Sequence, residues 1–211
     1  INGSLISIGE DTIVGTIIVD FNVSDQDTSQ THLWSLSGTD SSFFELNPST
    51  GELGLLTSLD YEIPSDANID NTYDLILTAT DSHASPMTSN PFNFQVTVNN
   101  VNDAPTITST AVTTVNEDAG YSYTFAASDS DSGDSVTLSA PTTPSWLSFN
   151  AGTGVLSGTP SNSDVGNHSV VLKATDSSGA VDTQSFTLTV DNVNDAPTIT
   201  STAVTSVNED V

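Results

Sequence analysis

Residues 101–118 read VNDAPTITSTAVTTVNED, and residues 193–210 read VNDAPTITSTAVTSVNED. Only Thr114/Ser206 differs over these 18 positions, and Asn102 recurs as Asn194, 92 residues on. A near-copy at domain-sized spacing means a tandem array, with the repeated segment lying where one unit joins the next. The expected units are residues 1–104 and 105–196, with 197–211 opening a third. Each of the two is long enough to bury its own core. The chain starts and stops inside the repeat pattern, so it reads as a fragment of something longer. The repeated segment also gathers Asn, Asp and Glu around a proline, the oxygen-rich composition a hard cation requires. The joints between units are therefore where function is to be sought.

Charge narrows the partners. The chain has 27 acidic residues and one basic residue, Lys173, for a formal charge of −26. Phosphate recognition needs Lys and Arg, so nucleic acid and anionic membranes are excluded as partners. A compact state with this charge repels itself, and bound divalent cations would relieve the repulsion. Cysteine is absent, so neither disulfides nor thiolate metal sites hold the fold. No apolar run reaches the roughly 18 residues of a membrane span, so direct membrane insertion is not expected. Hydrophobic residues still make up 35% of the chain and come in alternating runs, which argues for a folded chain.

Nearly every periodic segment has period two. Residues 16–23 (TIIVDFNV), 73–80 (YDLILTAT), 92–98 (FNFQVTV), 121–127 (YSYTFAA), 169–175 (SVVLKAT) and 184–190 (QSFTLTV) are examples. Turn signals at residues 47–51 (NPSTG), 150–154 (NAGTG) and 178–179 (SG) separate them, and no helical stripe is present. About seven short strands per unit indicate an all-β protein built of β-sandwiches. The expected core is Ile18, Phe21, Trp34, Phe44, Leu53, Leu75, Leu77, Phe94 and Val96 in the first unit. In the second it is Tyr123, Phe125, Leu138, Trp146, Leu156, Val171, Phe186 and Leu188.

The two units correspond motif by motif. Glu10-Asp11 matches Glu117-Asp118, Asp25-Gln26-Asp27 matches Asp129-Ser130-Asp131, Thr50-Gly51 matches Thr153-Gly154, and Ala79-Thr80-Asp81 matches Ala174-Thr175-Asp176. The first unit has LDYEIPSDANIDN at 59–71 where the second has SGTPSNSDVGN. With these motifs in order, and with the closure Asn100-Val101-Asn102-Asp103-Ala104-Pro105, the first unit resembles a cadherin repeat. The second, with PSWLSFNAGTGVLSGTP at 144–160 and LKATDSSGA, resembles the dystroglycan-type cadherin-like repeat. The resemblance implies two tandem Greek-key, immunoglobulin-like sandwiches. Arrays with VNDAP joints are typical of very large bacterial surface adhesins and other secreted multi-repeat proteins.

In cadherins several calcium ions sit where one repeat meets the next, because Ca²⁺ takes roughly 6–8 oxygens and one domain rarely supplies enough. Carried over to this chain, the resemblance implies Glu10, Asp60 and Glu62 as ligands from the first unit. Asn102, Asp103 and the carbonyl of Ala104 follow from the linker, and Asp129, Asp131 and Asp176 from the second unit. Two departures stand out. Asn100 occupies a position where the family has Asp, and Tyr61 occupies one where it has Arg, which is not a ligand. At the next closing segment Glu117, Asn194 and Asp195 are present, but no LDYE equivalent is. Asp25, Asp27 and Asp81 would face a preceding unit. Asp134 and Asp191 are read as turn and strand-end residues.

Other constellations carry less. His32, His83 and His168 are scattered without metal-ligand spacing. No nucleophile context is present, so the chain is not expected to be an enzyme. Trp146 and Phe149 suit a core better than a sugar-stacking platform, and Tyr121 is the better candidate for an exposed aromatic. Asn22-Val23-Ser24 and Asn167-His168-Ser169 fit the glycosylation acceptor pattern.

The expected function is a calcium-rigidified structural and adhesive module in the extender region of a secreted bacterial adhesin. It would support cell or surface attachment and biofilm formation outside the cell. Its partners would be calcium ions and neighbouring repeats, with a cell-surface glycan or protein as further candidates. The alternative is a carbohydrate-binding module of a secreted polysaccharide-active protein.

Overall fold

A computed structural model describes residues 4–27, 29–203, 205–206 and 209. The chain divides into two compact units, Ile1–Asp103 with Ser130–Asp134, and Ala104–Asp129 with Ser135–Val211. The expected third unit, 197–211, falls partly outside the described residues.

The first unit contains β1 (Ser4–Gly9), β2 (Ile17–Asp20), β3 (His32–Ser37), β4 (Phe44–Leu46), β5 (Glu52–Leu55), β6 (Thr72–Asp81) and β7 (Phe92–Asn99). They form two sheets, β1-β7-β6-β3 and β2-β5-β4. Pairing is antiparallel except for β1, which runs parallel to β7 with Gly9 opposite Asn99. Strict alternation sends Tyr73, Leu75, Leu77 and Ala79 of β6 inward, along with Phe94, Val96 and Val98 of β7. They meet Phe44, Leu53, Leu55 and Leu59 between the sheets. Each Val, Leu or Phe side chain among them contributes about 1.5–3 kcal/mol on leaving water. Ile18, Phe21 and Trp34 pack against this core from partly buried positions.

The second unit contains β8 (Thr106–Ile107), β9 (Thr114–Asn116), β10 (Tyr121–Thr124), β11 (Ala127–Ser128), β12 (Thr137–Thr142), β13 (Leu147–Asn150), β14 (Val155–Gly158), β15 (Gly166–Thr175) and β16 (Val181–Asp191). The sheets are β12-β15-β16-β9, β10-β14-β13 and the small pair β11-β8. Tyr123, Phe125, Leu156 and Leu188 are buried as expected, and Leu138, Trp146 and Phe186 pack partly buried around them.

One expected core residue is misplaced. Val171 points away from the core, and Val170, Leu172 and Ala174 fill it instead. The run SVVLKAT has two adjacent valines, and a strand of period two admits only one of them to the core face. The core register runs from Val170 to Ala174, and Lys173 shares the outer face with Val171.

The two units share one backbone device. Gly51 and Gly154, in the matching Thr-Gly turns, have φ of +84° and +70°. The Phe21 N–H donates to the Gly51 carbonyl at 3.1 Å, and the Phe125 N–H to the Gly154 carbonyl at 2.8 Å. A Cβ on either glycine would collide with the carbonyl oxygen of the same phenylalanine. Left-handed φ and this close approach both demand glycine. The whole fold is all-β, with no α-helix among the described residues, and no helix long and apolar enough to cross a membrane.

Candidate metal centre

The parallel pairing of β1 with β7 delivers Glu10 to the point where the chain leaves the first sandwich. The Glu10 N–H donates to the Asn99 carbonyl at 3.2 Å, extending the ladder by one residue. Its carboxylate then ties two segments together. Oε1 accepts the Val101 N–H at 2.7 Å, and Oε2 accepts the Tyr61 N–H at 2.7 Å.

The loop that carries Asp60 and Glu62 is anchored by buried Leu59 on one side. On the other, buried Asn71 donates its Nδ2 to the Tyr61 carbonyl at 2.8 Å. The Tyr61 peptide is thus gripped at both ends, by Glu10 and Asn71. Asp60 turns one oxygen back to the Ile63 N–H at 2.9 Å. Glu62 points the other way: its Oε1 accepts from Asn100 Nδ2 at 2.9 Å, and its Oε2 is buried with no hydrogen-bond partner. One carboxylate oxygen each from Glu10, Glu62 and Asp103 lie within 4.8 Å of one another. Burial pushes the Glu62 carboxyl above its ordinary range, and the charges of Glu10 and Asp131 push it further. Asp60 is outside that trio, but lines the same surface recess as Glu10, Asn102 and Asp103.

Asp131, which groups with the first unit, completes the acidic set. Its Oδ1 accepts from Asn100 Nδ2 at 2.7 Å and its Oδ2 accepts the Asp103 N–H at 2.8 Å. The Ser130 hydroxyl donates to Asp103 Oδ2 at 3.0 Å, and Asn102 Nδ2 donates to the Asp103 carbonyl at 2.8 Å. Ala104 is exposed at the start of the second unit.

Asp176 is buried, and its Oδ1 closes the DSSGA turn by accepting the Gly179 and Ala180 N–H groups at 2.5 and 2.8 Å. Asp134 makes a turn as expected, its N–H donating to the Asp131 carbonyl at 3.2 Å. At the other end of the first unit, Asp25 Oδ2 lies 3.0 Å from His32 Nε2. The Asp27 N–H, then His32, hold the Asp25 carboxyl below its usual range.

The second unit reproduces the Glu10 arrangement. The Glu117 N–H donates to the Asp191 carbonyl at 2.9 Å, and its Oε1 accepts Val193 N–H at 2.6 Å and Asn192 Nδ2 at 3.0 Å. Glu117 is only 3% exposed, and its Oε2 is buried without a partner. Where the first unit has the Asp60–Glu62 loop, the second has a short turn, Asn162–Asp164. Its Asn162 Nδ2 donates to Asp195 Oδ2 at 3.1 Å, so an amide stands in place of an acid.

Residues 4–99 match the Cadherin domain family. Residues 104–191 match the family described as "Putative Ig domain". No curated protein matches the chain significantly. Among solved structures, human Protocadherin-24 EC1-2 aligns with a TM-score of 0.56 at 22% identity, covering 92% of this chain and 95% of that one. Drosophila N-cadherin EC1-4 aligns with a TM-score of 0.53 at 20% identity, covering 92% of this chain and 48% of that one. At these identities the likeness is one of fold: two cadherin-like and Ig-like sandwiches.

The cadherin-like frame also decides the aromatic residues. Tyr121, expected to be exposed, is 4% exposed, because its hydroxyl donates to the Val112 carbonyl at 2.7 Å and its ring packs edge-on against Trp146. Burial pushes its phenol up to about 12. Trp146 packs edge-on against both Tyr121 and His168 and lies partly buried against the core.

Proposed function

We propose that this chain is a calcium-binding structural and adhesive module, made of cadherin-like repeats spanning 1–104 and 105–196, with 197–211 opening a further repeat. The second repeat is read as the dystroglycan type. Glu10, Asp60, Glu62, Asn102, Asp103, Ala104, Asp129, Asp131 and Asp176 are the proposed ligands. The supporting observation is the Glu10–Glu62–Asp103 trio with the buried, unpartnered Oε2 of Glu62. A carboxylate oxygen hidden from water without a donor is costly, and a cation is the chemical species that relieves it. Every donor in the set is an oxygen, which suits a hard divalent cation and not zinc or copper. Bound calcium would supply charge neutralisation at this set. The residues themselves already fix Val101 and Asp103, so the linker is half ordered by the protein.

The setting proposed for the module is the extender of a large secreted bacterial adhesin at the cell surface, presenting a distal binding domain during surface attachment. Millimolar extracellular calcium would fill even weak sites of this kind, and ions that bind only the folded state raise stability. Calorimetry with calcium chloride, a thermal melt and small-angle scattering, each repeated on Asp103→Ala, test this. Calcium uptake with a rise in melting temperature and loss of linker flexibility, all reduced in Asp103→Ala, is the expected result. A chain indifferent to calcium in all three would overturn it.

A further inference from the structure

The opening asparagine of each closing segment is a donor. Asn100 gives its Nδ2 hydrogens to Glu62 Oε1 at 2.9 Å and Asp131 Oδ1 at 2.7 Å. Asn192, its counterpart, gives Nδ2 to Glu117 Oε1 at 3.0 Å and to the Val193 carbonyl at 2.8 Å. An ionised carboxylate only accepts, so the amide nitrogen and not its oxygen has to face both acids. The same choice in two repeats, against different acids, makes this a property of the position.

We propose that Asn100 is a metal-independent clasp: its amide holds Glu62 and Asp131 together without a cation, and thereby sets how much cation the site demands. The second half rests on the calcium reading; the first does not. Without a donor between them, the two like charges repel. Charge-assisted hydrogen bonds to both offset that repulsion. An aspartate at position 100 would reverse both effects: it offers no donor, adds a charge to the metal-free cluster, and adds a ligand charge once a cation is present.

Asn100 is exposed, so its substitution leaves the sandwich core intact. The test uses the full chain as wild type, Asn100→Ala and Asn100→Asp. In chelator, both variants should melt about 2–4 °C lower in the first-unit transition, Asn100→Asp the more so. Amide exchange at Asp103 should quicken in both, because Asp131 no longer stays in place to accept its N–H. In calcium titration, Asn100→Asp should bind about three- to tenfold tighter than wild type, so that the stability order of the two crosses between chelator and calcium. Unchanged melting and unchanged Asp103 exchange in chelator would overturn the clasp, whatever calcium does. Equal calcium affinity of wild type and Asn100→Asp would overturn its role in setting cation demand. A wild type that takes up no calcium overturns the calcium reading, and the chelator arm still decides the clasp.

Discussion

The Glu117 carboxylate accepts the backbone N–H of Val193 at 2.6 Å, inside a site where Glu117 is 3% exposed. Glu10 makes the same bond to Val101 at 2.7 Å. In each unit the acid that follows the strand paired parallel to the last strand secures the residue two beyond the end of that last strand. A hydrogen bond to a charged group contributes about 1.5–3 kcal/mol, and leaving the donor unmet adds to the loss. Glu117→Ala should therefore destabilise the second unit by about 2–4 kcal/mol, measured by urea denaturation in chelator. A value near zero would show that the bond is not formed in solution.

Acidity should act on the first unit through Glu62. Its folded carboxyl titrates above the ordinary value because of burial and the neighbouring charges of Glu10 and Asp131. The folded state then holds a proton that the unfolded state has released, so this group's contribution falls as pH rises from the ordinary carboxylate value through the raised one. In chelator, Glu62→Gln should flatten that decline. Asp25 and Asp164 have lowered carboxyls, so their contribution has the opposite sign and is lost as pH falls. Melting curves across acid pH, for wild type and Glu62→Gln, separate the two trends.

Register in β15 is open to a paired substitution. Leu172 is 0% exposed, and Leu172→Ala should cost about 2–5 kcal/mol. Val171→Ala, on the outer face, should cost less than about 1 kcal/mol. Chemical denaturation of both variants reads the difference, and equal losses would place the strand one residue out.

The two-unit plan, the strand pattern and most of the core were legible because period two and Thr-Gly turns are local properties. Val171 was not, since in a run of adjacent valines only the partner strand decides which one faces inward. The acids stand out in the sequence by type and motif, but the backbone bonds they make do not. Glu10 and Glu117 act first as acceptors of backbone N–H groups, a role that depends on the parallel pairing of β1 with β7 and of β9 with β16. Asp134 looked like a turn former and is one. Tyr121 was misjudged because a hydroxyl with a carbonyl partner can be buried at little cost.

Turn chemistry gives a further check. Gly154 has φ +70° and no room for a Cβ against the Phe125 carbonyl, whereas Gly133 has φ +95° and open space around it. Gly154→Ala should cost about 3 kcal/mol or more, and Gly133→Ala only about 1 kcal/mol of backbone strain. Thermal melts of the two variants test this; parity between them would mean that the turn relaxes around the added carbon.

The bonds from Glu10 to Val101 and from Glu117 to Val193 also dictate where the protein can be cut. The cadherin match ends at residue 99, yet a fragment truncated there would lose the residue that Glu10 holds, and with it Asn100. A piece carried through Asp103 keeps that seal. For anyone excising single repeats for crystallisation, force spectroscopy or recombination into new arrays, the transferable cassette therefore runs past the last strand and includes the segment that looks, in sequence, like mere spacer.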